Sequence, residues 1–164
     1  MAVDMFLKLD GIKGESKDDK HKDEIHIENF NRTMNQEGSR DQITGQVGHG
    51  RGKVVVHDIC VTKFVEKSTP DLMYACVSGK HILNGLISVR KAGEKPLDYL
   101  KIKLVDIMIT SVEEAGNEDE GDLMAETVTL SFNQFTVDYQ EQDKDGSGKA
   151  AGSMGWDLVH HKKL

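Results

Sequence analysis

Three stretches of the chain carry residue types that could do chemistry. In "GQVGHGRGKVVV", Gly45, Gly48, Gly50 and Gly52 bare the backbone and Lys53 follows. A phosphate cradle of the P-loop type needs a glycine, four residues, then glycine, lysine and a hydroxyl residue, set between a strand and a helix. Val54 stands where the hydroxyl belongs and a β-branched run follows, so the N–H groups and dipole of a helix start are missing. A flexible loop, or bare backbone laid against another subunit, remains. The second stretch, "DKDGSGKAAG" from Asp143, resembles a calcium loop in its first residues only. An EF-hand places glycine sixth and a bidentate glutamate twelfth, whereas Gly146 is fourth and Met154 twelfth here. The third set is the seven histidines. His49, His57 and His81 keep no metal-ligand spacing with Cys60 or Cys76, and no nucleophile elbow or His-Glu-x-x-His helix occurs. His160 and His161 are adjacent, would point to opposite faces of a strand, and read as tail residues. No catalytic residue, metal or cofactor is expected.

What must position such residues is a single domain, since 164 residues support one sizeable core. The net charge of −7 opposes nucleic acid as a partner, because phosphate binding needs a positive field. No apolar run of membrane-spanning length occurs, so no membrane is expected. The opening "MAVDMFLKLDGIKGESK" has neither a basic start nor a long apolar centre, which predicts cytoplasmic synthesis without a conventional secretory signal. Cys60 and Cys76 sit in apolar contexts and are expected to be buried free thiols.

The patterning is that of short strands between charged or glycine-rich loops. Residues 2–9 alternate, with Val3, Met5, Leu7 and Leu9 on one face. "GESKDDKHKDE" (14–24) is nearly all charge and predicts a solvated loop, as does the acidic run 113–122. Further strands are predicted over 25–34, 53–65, 81–90, 97–112 and 126–140. In the last, Val128, Leu130 and Phe132 hold one phase and Phe135, Val137 and Tyr139 the other. A slip near Asn133 and Gln134 is what a bulge or sharp bend produces, and a similar slip falls near Leu104 and Val105. One helix is predicted over 68–81, capped by Ser68 or Thr69, with Pro70 in its first turn and Gly79 at its stop, docking Leu72, Met73 and Cys76 on the sheet.

The opening "MAVDMFLKLDGIKGES", the helix segment "KSTPDLMYACVSGKH", the strands "YLKIKLVDIMITSV" and "ETVTLSFNQFTVDYQ" and the closing "GWDL" together resemble the Hcp family, the haemolysin-coregulated proteins of bacterial type VI secretion. The resemblance spans nearly the whole chain. It implies an all-β fold with one short helix: a β-barrel of two packed antiparallel sheets, assembling into a hexameric ring. It further implies a subunit of the secretion inner tube, exported as stacked rings through the type VI machinery, meeting spike and sheath proteins and carrying or chaperoning small effectors in the ring lumen. A soluble ring-shaped carrier that does not form the main tube is the alternative.

Under that resemblance the glycine-rich loop, about 38–53, becomes a subunit and ring contact through Gly45, Gly48, His49, Gly50, Arg51 and Gly52, because glycine lets backbone approach backbone closely. Asn29, Phe30, Asn31 and Arg32 are the lumen-facing candidates, since alternation breaks down there. The tail, about 142–164, is too short for an added toxin domain.

Overall fold

The computed structural model describes residues 3–39, 50–116 and 123–164. It contains β1 (Val3–Leu9), β2 (Ile25–Ile27), β3 (Asn29–Asn31), β4 (Met34–Ser39), β5 (Gly50–Val56), β6 (Ile59–Phe64), α1 (Thr69–Ser78), β7 (His81–Lys91), β8 (Leu97–Ala115), β9 (Ala125–Gln142), β10 (Gly148–Asp157) and β11 (Lys162–Lys163). The all-β class with one short helix is as the sequence patterning predicts.

Nine strands form one antiparallel sheet, and β4 and β5 form a separate hairpin. The two layers belong to this one sheet, which turns on itself. Its path runs β10, β9, β8, β7, β1, β2, and β9 also pairs with β6, which carries β3. Segment 25–31 therefore reaches from one edge to the other, with β2 on β1 and β3 on β6. Between them Glu28 donates its N–H to the Thr62 carbonyl at 2.8 Å. The shell is bridged across a bend rather than by one unbroken strand.

The turn of the sheet has a sequence cause. β8 and β9 keep their register from Val105↔Gln134 to Ile107↔Phe132, while Asp106 between them adopts φ +54°. Asn133 donates a side-chain hydrogen bond to Asp106 across this corner. On β7, Leu83 falls in the same line and turns outward. The phase slips in both strands are thus one shared bend. The β8–β9 bulge lies elsewhere, between Ile109 and Ser111. The bend lets the first half of β9 pair with β6 and the second half with β10. The enclosed core includes Leu7, Ile25, Ile59, Ile87, Ile102, Ile107 and Leu130, all essentially inaccessible.

Helix α1 starts after Ser68, but the Ser68 hydroxyl donates to Glu66 and accepts no N–H of the helix. Gly79 ends it at φ +64°, a left-handed conformation that costs glycine little. Leu72 and Ala75 are buried and Cys76 packs beside them. Met73, expected to dock, is 39% exposed, because it lies a third of a turn from the Leu72, Ala75 and Cys76 face.

Three other expectations are corrected. The strand predicted over 53–65 is two strands, β5 and β6, separated at His57 and Asp58. The tail also holds a strand for which the sequence offered no pattern: β10 pairs with β9 from Gly148 to Asp157, and its small, glycine-rich sequence hides it from periodicity. The charged segment 14–24 is not a free loop. It folds as a small paired turn, with Gly14 N–H to Asp23 O at 2.9 Å and Ser16 N–H to Glu24 O at 3.0 Å, and covers Phe6 on the outer face of β1. Both cysteines are free, but they are half-buried where burial is expected.

Candidate functional site

The surfaces that stand out are those a single chain leaves unfinished. Hairpin β4–β5 arches beside the β9–β10 ladder, with Met34 opposite Val56 and Gln36 opposite Val54. Between hairpin and ladder lies an open groove of about 440 Å³ lined by Met34, Gln36, Val54, Val56, Phe135, Met154 and Trp156. Its lining is nearly all apolar, and Met34, Val54 and Met154 are each well exposed. The indole Nε1 of Trp156 is buried without a hydrogen-bond partner among the described residues. An apolar groove of this kind suits an apolar partner surface.

Next to it runs a free backbone edge. β11 pairs with Trp156 and Asp157, and the Leu164 N–H donates to the Gly155 carbonyl at 3.1 Å, so among the described residues the outer edge of β10 from Gly148 to Met154 is unpaired. Its side chains from Lys149 to Met154 are exposed. Open sheet edges invite pairing with another chain.

Gly45, Gly48 and His49 lie outside the described residues. Gly50 opens β5 opposite Ser39, and Arg51 pairs with Gly38. Gly52 follows within the same strand. Both ends of the expected loop are therefore strand. Asn29 and Asn31 share an exposed face of β3, while Phe30 between them packs against the core. Arg32 is half-buried, its Nη1 lacks a partner among the described residues, and burial lowers the guanidinium's affinity for its proton. The described contact-loop residues, Gly50, Arg51 and Gly52, and the β3 residues belong to different parts of the sheet system, β4–β5 and β3–β6.

Several structuring groups gave no sequence signal. Lys63 and Glu126 are cross-strand partners, both fully buried, and form an ion pair beneath the start of α1. The Thr69 hydroxyl accepts from Lys63 Nζ at 3.3 Å and donates to Glu126 Oε1 at 2.9 Å, pinning the helix to β6 and β9. On the opposite face His21 stacks on Phe6 at 4.2 Å, with Nδ1 2.8 Å from Glu24 and Nε2 3.2 Å from Asp98. Arg90, beside them, donates to Asp18 at 2.6 and 2.8 Å, which holds the Asp18 carboxyl well below the usual carboxylate range. Asp157, buried at the end of β10, accepts from the backbone N–H and ring of His160 and from the Val159 N–H, which hold its pKa down to about 2. Lys63 and Glu126, His21 and Asp98, and Arg90 and Asp18 are too far apart in sequence for a local pattern to betray them.

No group of three or more metal-ligating side chains converges among the described residues. No described helix is long and apolar enough to cross a membrane. What the site offers is an unpaired strand edge, an apolar groove and a projecting hairpin. These are the means of a protein that associates.

The family described as "Type VI secretion system effector, Hcp" matches residues 6–139. The chain is 45% identical over 161 residues to protein hcp1 of Pseudomonas aeruginosa, covering 96% of each. A solved type six secretion system protein superposes with a TM-score of 0.92 at 27% identity, covering 99% of this chain and all of that one. Hcp1 from Salmonella typhimurium superposes with a TM-score of 0.80 at 34% identity over the full length of both. The class is that of the secreted tube and effector proteins of type VI secretion. Within it, the chain belongs to the Hcp family.

Proposed function

We propose that this chain is a non-catalytic tube subunit, six copies of which close into a ring, and that the rings stack into the inner tube of the secretion machine. The observation that carries this reading is the unpaired β10 edge beside the apolar groove of Met34, Val54, Val56 and Met154, which a neighbouring copy would cover. Pairing that edge and burying that groove would remove the features that otherwise promote indiscriminate association. A cyclic arrangement does this for every copy at once. Gly45, Gly48, His49, Gly50, Arg51 and Gly52 make the contact between subunits and rings, and Asn29, Phe30, Asn31 and Arg32 belong to the wall of the central hole. Small effectors are carried in that hole, and spike and sheath proteins are the outer partners. The chain is made in the cytoplasm and leaves as assembled rings through the type VI machinery.

Light-scattering mass across a size-exclusion peak, with negative-stain imaging, tests the ring. Six times the 18.2 kDa chain mass with annular particles is the expected result. A monomer at all protein and salt concentrations would overturn it. Rings that never stack end to end would instead favour the carrier alternative.

A further inference from the structure

The turn 14–24 carries five acids against three lysines in sequence, and its folding engages three of the acids while Asp19 stays exposed. Asp18 points inward to Arg90, Glu24 to His21, and the Glu15 carboxylate accepts the Lys67 backbone N–H at 3.1 Å. Lys13, Lys17, Lys20, Lys22 and neighbouring Lys67 are all exposed. None of these five forms an ion pair with a described residue. Lys17, Lys22 and Lys67 border a concavity of about 460 Å³ whose other lining residues are Glu15, Ser16 and Asp23.

The concavity is rigidly held. A Cβ at Gly14 would overlap the Glu24 carbonyl, so the two arms of the turn touch backbone to backbone. Glu66 Oε2 accepts the Glu15 N–H at 2.7 Å, tying the turn to the lead-in of α1. The backbone that carries Lys17, Lys22 and Lys67 is thus held in place, on a chain whose net charge is −7.

We propose that this lysine-bordered concavity is a docking surface for an acidic protein segment, one bearing clustered aspartate or glutamate side chains. Carboxylates presented on a chain can reach several of the lysines together, where single ions would be screened. The surface lies on the α1 lead-in and the 14–24 turn and shares no lining residue with the groove, so in the ring proposed above it stays open. To that extent it rests on the assembly reading above.

The test uses the full chain in its native assembly and a labelled poly-L-glutamate peptide followed by fluorescence anisotropy. Binding that weakens with rising salt, and falls about tenfold or more in the combined Lys17→Glu, Lys22→Glu, Lys67→Glu variant, is expected. The light-scattering mass of the variant should match that of the parent. No binding, or binding indifferent to the three substitutions, would overturn the proposal. So would equal or tighter binding of a single-stranded oligonucleotide of matching length, which would mark a general polyanion surface. A change of assembly mass in the variant would also overturn it, by making the patch a contact between copies. A parent chain that fails to form rings but still binds the peptide would count against the ring alone.

Discussion

Single residues here matter through the company they keep. Asp157 is held by His160 and Val159 with its pKa near 2, against about 3.9 for a free aspartate. A folded-state pKa below the unfolded value adds stability at pH above the unfolded value, and that stability is lost as pH falls through the folded one. Asp157 therefore contributes fully at neutral pH and loses its contribution from about pH 4 down to about pH 2. Asp18, lowered by Arg90, acts with the same sign. Urea unfolding at stepped pH should show stability dropping over that window. The Asp157→Asn variant should be less stable at pH 7 and fall less steeply in acid. The Lys63–Glu126 pair makes a different prediction. Lys63→Met leaves Glu126 buried and unpaired, which should cost about 3–5 kcal/mol in chemical denaturation. The double variant with Glu126→Leu should recover much of the loss, because a well-packed apolar pair avoids the desolvation of two charges.

The elements separate what the sequence could disclose from what it could not. The paired phase slips near Asn133 and Leu104 marked the corner of the sheet, because a bend shared by neighbouring strands reverses the buried face on each. Proline and glycine bracketed α1 for equally local reasons. Strand β10 stayed hidden, since Gly148, Ala150, Ala151 and Gly152 supply little alternation and its pairing with β9 is what makes it a strand. The covering role of the 14–24 turn was hidden too. Its charges find Arg90 and Asp98 more than 70 residues away, where local composition has no reach. At the candidate site, composition drew attention to the glycines and to Asn29 through Arg32. The groove escaped notice because Met34, Val54, Met154 and Trp156 come from three separate strands. Met154→Lys should thus leave the isolated fold intact while placing charge on the groove and the open edge. Its expected effect is a shift of light-scattering mass toward monomer, with the far-UV circular dichroism unchanged. A bulky substitution at Gly48 or Gly50 should instead damage stacking before folding, seen as rings without tubes in negative stain.

At the scale of the whole molecule, the chain combines the Hcp fold with a surface that is incomplete alone. Each copy carries a net charge of −7, so copies gathered in a ring repel one another. In the proposed ring, cohesion would come from buried apolar area and strand-edge pairing, with salt helping through screening. Raising ionic strength from low to physiological values should accordingly stabilise the assembly, measured as a lower dissociation constant for rings. The most direct test is the mass and shape of the particle in solution, by light scattering and negative-stain imaging at two salt concentrations. The account predicts annular particles of six chains that persist, and tighten, as salt rises. A compact monomer under every condition, with the β10 edge still exchanging its amide hydrogens freely, would contradict it.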